Sequence, residues 1–153
     1  KAYDTLVDVE MADMHNDGDK YTALKLCTHV LAQLGYKLPK PGIGRTVHTI
    51  VRLLMLKRMR RWLTPKMIAD MPLVTNRKEE AIMAMMSKMI TICFLTKPEL
   101  IPFVSLQIVD LTFKYGTSEY SPGAFLGLGV FAGIVIGDAK TRRVLGQRAL
   151  ELM

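Results

Sequence analysis

"YSPGAFLGLGVFAGIVIGD", running from Tyr120 to Asp138, holds five glycines and no charge before its last residue. Three readings compete for it: a dinucleotide-binding turn, a membrane-crossing helix, or a helix whose glycines let a neighbour come close. The dinucleotide fingerprint fails on spacing, because three residues rather than two separate Gly129 from Gly133 after Gly127. The preceding strand and the later acid that the fingerprint needs are also missing. A membrane span needs about twenty apolar residues, and this run is interrupted by Ser121-Pro122 and closed by Asp138. The Gly129–Gly133–Gly137 ladder does have the spacing of a membrane helix-packing motif, but amphipathic segments flank it on both sides. The third reading remains. Each glycine inside a helix costs about 1 kcal/mol relative to alanine, so Gly127, Gly129, Gly133 and Gly137 are expected where neighbouring backbones approach closely.

Working outward, Gly137-Asp138 reads as a turn and "RALEL" (Arg148 to Leu152) as the end of a second helix, the pattern of a tetratricopeptide-type hairpin. "GDKYTALKLCTHVLAQLG" (Gly18 to Gly35) repeats the turn and second helix. Asp19 can cap that helix, Leu24, Cys27, Leu31 and Leu34 share one face, and Gly35 suits a left-handed stop. Before it, Ala2 to about Asn16 forms a further candidate, with Tyr3, Leu6, Val7 and Met14 on one side. A third helix is expected from about Thr46 to Leu63, burying Val47, Ile50, Val51, Leu54 and Trp62.

Pro65 can open a short helix through Met71, and Asn76 with Glu79 makes a capping-box-like start for a long helix. That helix places Ile82, Met85, Met86, Met89, Cys93 and Phe94 in one apolar stripe. "FVSLQIVDLTFKYG" (Phe103 to Gly116) shows strand-like alternation alongside Ile101, Val104, Ile108, Leu111 and Tyr115 at helical spacing. Its length, the Pro98–Glu99 opening and Gly116 as a stop favour helix, with a strand as the alternative. The expectation is one all-α domain over residues 1–153, with about seven or eight helices stacked as degenerate hairpins. A start at Lys1 and an end inside a helical pattern read as a segment of a larger chain.

The charge is uneven. Residues 1–19 hold six acids and one base, residues 20–69 hold eleven bases and no acid, and the remainder is nearly balanced. The middle third is a positive field that attracts acidic partners at modest salt. "KRMRRW" (Lys57 to Trp62), reinforced by Arg45, Arg52 and Lys66, makes Arg45, Arg52, Lys57, Arg58, Arg60, Arg61 and Lys66 the candidate anionic-partner patch. Bases ending a helix also suit its dipole, and no interleaved aromatics offer base stacking. Any polyanion binding would then be weak and non-specific.

Other motifs fall short of chemistry. "DMHNDGDKYTAL" matches a calcium loop at Asp13, Asp17, Gly18 and Asp19, but Leu24 stands where a bidentate glutamate is needed. "KPGIGRT" (Lys40 to Thr46) lacks the longer glycine spacing and the Lys-Ser/Thr ending of a phosphate loop. His15, His29 and His48 are scattered, and no nucleophile is paired with a base. Cys27 and Cys93 read as buried, reduced thiols, which fits a cytoplasmic protein. No cofactor is implied.

"VLAQLGYKLP", "LLMLKRMRRW", "MIADMP", "LTFKYGTSEYSPGAFLGLGVFAGIVIGD" and "VLGQRALEL" occur in this order from about Ala23 to Leu152. Together they resemble the helical region of very large STAND-type signalling ATPases, which carry a serine/threonine-kinase-like domain and often a sensor histidine kinase. "YGTSEYSPGAF" is the most telling piece. The resemblance implies a non-enzymatic signal-transduction segment that interacts with neighbouring domains of its own chain or with another protein. The family's nucleotide-binding and phosphotransfer motifs lie in other domains, so no functional residue is carried over.

Overall fold

The structure, a computed structural model, describes residues 20–38, 42–59, 63–135 and 137–153. The candidate helix from Ala2 to Asn16, the calcium-like loop at Asp13, Asp17, Gly18 and Asp19, and Arg60, Arg61 and Trp62 lie outside the described residues. Seven α-helices are described: α1 (Lys20–Gln33), α2 (Ile43–Met59), α3 (Pro65–Ala69), α4 (Arg77–Thr96), α5 (Ile101–Tyr115), α6 (Ser121–Val135) and α7 (Ala139–Glu151). A 3-10 turn over Pro98–Leu100 precedes α5. The domain is all-α, and an isolated bridge between Leu73 and Thr117 is its only extended pairing among the described residues.

Helix ends follow the local signals. The Asn76 side chain accepts the Lys78 amide at 3.0 Å, with Glu79 and Glu80 in the first turn of α4. Asp138 accepts the Thr141 amide at 3.0 Å and the Thr141 hydroxyl at 2.7 Å, starting α7. After α1, Gly35 adopts φ +82, and the amides of Gly35 and Tyr36 return to the carbonyls of Ala32 and Leu31.

α5 is the centre of the fold, packed against α4 on one side and α6 on another. Phe103, Val104, Ser105, Leu106, Ile108, Val109, Leu111 and Thr112 are all buried. A helix buried over most of its circumference, with Gln107, Asp110 and Lys114 along a less buried side, presents apolar residues in most directions, which is why its sequence supports both helical and alternating periodicity. Helix is what forms. Beyond this centre α1 packs on α4 rather than on its chain neighbour α2, α6 packs on α7, and α3 touches α7.

"YGTSEYS" is the clasp between layers. Gly116 ends α5 with φ +109, and a Cβ there would sit 2.3 Å from the Pro72 carbonyl oxygen. That close approach lets the Thr117 amide donate to Pro72 O at 2.8 Å while the Val74 amide donates to Thr117 O at 2.9 Å. The Ser121 hydroxyl accepts the Ser118 amide at 3.0 Å and lies 2.8 Å from the Thr112 hydroxyl, which itself donates to Ile108 O. The resemblance-bearing stretch thus joins the α3–α4 loop, α5 and α6 through groups that would otherwise be buried without partners.

The opening glycines have distinct surroundings. At Gly129 a Cβ would meet Arg142 O at 3.2 Å and Leu145 Cβ at 3.3 Å across the α6–α7 contact. At Gly133 it would meet the Arg142 side chain at 2.6 Å, and at Gly127 the Ser105 hydroxyl at 2.9 Å. Gly137 differs: it has φ +68 with nothing within 4 Å, so it is a turn residue and not a packing glycine.

Ser105 is fully buried, and its hydroxyl has no hydrogen-bond partner among the described residues. An unsatisfied buried hydroxyl costs about 1–3 kcal/mol, so Ser105→Ala should leave the domain as stable or more so. It also removes the atom that crowds Gly127. Gly127→Ala should therefore destabilise the parent yet be neutral or stabilising on the Ser105→Ala background, a coupling of about 1 kcal/mol. Urea unfolding of the four-member cycle reads this directly, and additive effects would show that the two positions do not meet.

Two expectations about burial are corrected. Phe94 is 73% exposed. It lies one turn beyond Ile90 and Thr91, which are themselves only half-buried and exposed, respectively, so it continues the open side of α4. Val47, Ile50, Val51 and Leu54 of α2 are likewise exposed.

Candidate interaction surface

α2 was expected to bury Val47, Ile50, Val51 and Leu54; instead they face outward. Ile43, Val47, Ile50, Val51, Leu54 and Met55 range from 42% to 84% exposed. Their spacing of three and four residues places them on one continuous helical face. α2 meets the body of the protein elsewhere on its circumference: Thr49 is buried, and the Arg52 guanidinium pairs with the Asp110 carboxylate of α5. Seated this way, the helix turns its apolar stripe to solvent.

Of the seven residues in the candidate patch, Arg52 is thus engaged with Asp110, and Lys66 is exposed on α3. Arg45, Lys57 and Arg58 belong to α2, with side chains outside the described set, and Arg60 and Arg61 follow it outside the described residues. What the sequence reading missed is that the apolar face of this basic helix is left open to solvent. The signal available was the acid-free composition of a strongly amphipathic segment.

A second apolar feature lies at the α6–α7 end, where a cleft of about 560 Å³ is lined by Pro122, Leu126, Ala149, Leu150 and Met153, with Glu119 among its walls. Leu126 and Ile134 on α6 and Leu150 on α7 are exposed beside or beyond it. Among the described residues no group of three or more His, Cys, Asp or Glu side chains could hold a metal ion. No helix among them is long and apolar enough to cross a membrane.

Two buried or partly buried groups elsewhere in the fold have shifted titrations. Burial pushes the Cys27 thiol from 9.0 up to about 11, partly opposed by Lys88. Burial first, then Asp110 and Glu79, pushes Tyr36 from 10.0 to about 12; its hydroxyl donates to Gln107 Oε1 on α5. Both groups stay protonated in the folded state at pH values where the unfolded chain has lost those protons. Their contribution is therefore complete below pH 9, and it is lost as pH rises from 9.0 towards about 12. Thermal melts between pH 8 and 12 should fall along this window, and Tyr36→Phe with Cys27→Ala should flatten the decline. A decline unchanged in the double variant would place its cause elsewhere.

Comparison with protein-family models, curated proteins and solved structures gives no match to this chain.

Proposed function

We propose that this chain is a non-catalytic interaction and regulatory segment, a tetratricopeptide-like helical array serving a signalling ATPase of the kind its motifs resemble. The observation that carries the reading is the solvent-facing stripe of Ile43, Val47, Ile50, Val51, Leu54 and Met55. Contiguous apolar surface of this kind marks a place where another surface docks. The capping and clasp residues hold the body rigid, so α2 is presented on a fixed support.

The test follows from the reading. The reading frame that contains this segment should encode an ATPase, and calorimetric titration of that ATPase domain with the chain should give a saturable complex. Val47→Asp with Leu54→Asp should abolish the complex while leaving helical circular dichroism intact. A frame without an ATPase, or a titration that these substitutions leave unchanged, would overturn the reading.

The acid-free stretch from residue 20 to 69 favours one alternative, docking on an anionic surface such as nucleic acid or membrane. Binding of that kind weakens steeply with salt through counterion release. Glutamine at Lys57, Arg58, Arg60 and Arg61 would then flatten the salt slope.

A further inference from the structure

We infer that the apolar face of α2 is the docking site of the chain's own acidic segment, residues 1–19. The inference rests on the reading of α2 as a docking surface and names its occupant. Six large apolar side chains stand open on α2, and no described element covers them. Charge selects among the possible occupants. Residues 20–69, which include α2, contain eleven bases and no acid, whereas residues 1–19 contain six acids and one base. No other stretch of the chain has this complementary balance.

The segment also has an apolar stripe to offer. In helical register Tyr3, Leu6, Val7 and Met14 share a side that Glu10 enters between Leu6 and Tyr3, with Asp4 and Asp8 along one border and Asp13 along the other. Apolar seams flanked by opposite charges are how amphipathic helices choose partner and orientation. Because the segment is covalently attached, its effective concentration is on the order of millimolar, and modest complementarity is enough. A tethered acidic segment on the same face that a partner needs would regulate access to it, with salt and acidic competitors weakening the hold.

The test uses the full chain, carrying Leu6→Asp with Val7→Asp, and reads hydrogen exchange over Ile43–Met59 together with fluorescence of an apolar dye. Exchange in α2 should accelerate about tenfold or more, and dye fluorescence should rise, while α4 and α5 remain protected. A synthetic peptide of residues 1–19, added to this variant, should restore protection at low salt, and a scrambled peptide of equal charge should not. Replacing Asp4, Asp8 and Asp13 with Asn should weaken the parent's protection and remove its salt dependence.

Unchanged α2 exchange in the Leu6→Asp/Val7→Asp chain would overturn the inference. So would a dimer that Val47→Asp dissociates and Leu6→Asp does not, or capture by anionic vesicles that leaves the face protected without the segment. The docking reading is judged separately, since loss of partner binding in Val47→Asp would uphold it in any of these cases.

Discussion

Alanine at Gly116 should destabilise the folded domain by about 3 kcal/mol or more, summing a strained backbone (about 1–3 kcal/mol) and a forced separation of packed segments (about 1–3 kcal/mol). Gly116 has φ +109, a conformation that residues with a Cβ rarely adopt. The atom in the way is also immovable in the cheap sense. It is the Pro72 carbonyl oxygen, 2.3 Å from the added Cβ, with Leu73 C and Val74 N at 3.0 Å behind it. No rotamer change relieves a clash with backbone. The α3–α4 loop must retreat, and with it go the hydrogen bonds from Thr117 to Pro72 and from Val74 to Thr117. The melting temperature should drop by about 6–12 °C for a domain of this size. An alanine variant melting within about 2 °C of the parent would show that the clasp is not closed as described.

Leucine at Gly129 is the second large effect. Its Cβ would already stand 3.2 Å from Arg142 O and 3.3 Å from Leu145 Cβ, and Leu145 is fully buried. The remaining carbons of the leucine have to enter the α6–α7 contact, an overpacking of about 1–3 kcal/mol. The gain in helix propensity over glycine, about 1 kcal/mol, opposes this and does not cancel it. Alanine at the same site should be close to neutral, since the same gain meets only a few tenths of an ångström of crowding.

Gly133 is the internal control. A Cβ there would approach closest to the Arg142 side chain, at 2.6 Å, and Arg142 is exposed and can swing aside. Leucine at Gly133 should therefore cost distinctly less than leucine at Gly129. Urea unfolding with an unchanged m-value separates the two. Equal penalties, or a leucine at Gly129 that melts at the parent temperature, would place α6 and α7 further apart than the structure has them.

The sequence by itself determined most helix limits, although α2 begins at Ile43, ahead of the expected Thr46. Asn76 as a cap, Gly35 and Gly116 as stops and Gly137-Asp138 as a turn act within a few residues of themselves, so their chemistry is complete in the local string. It also determined that α4 carries a buried methionine stripe, because Ile82, Met85, Met86 and Met89 repeat at the helical period. The choice between helix and strand for α5 was legible chiefly at its flanks, since burial over most of its surface blurs the periodicity that would have decided it and leaves only Gln107, Asp110 and Lys114 to mark a polar side.

What only the tertiary structure decided was which apolar surface finds cover. Hydrophobic attraction has no direction. A stripe at helical spacing announces a face to be covered, and it does not say what will cover it. The same pattern in Met86 and in Val47 led to burial for one and exposure for the other. The difference lies in contacts distant in sequence: α1 returns to cover α4, while α2 is held to α5 through Arg52 and Asp110 and keeps its stripe outward. The candidate surface became visible only at that level, because being unpartnered is a property of the whole packing and not of any one helix.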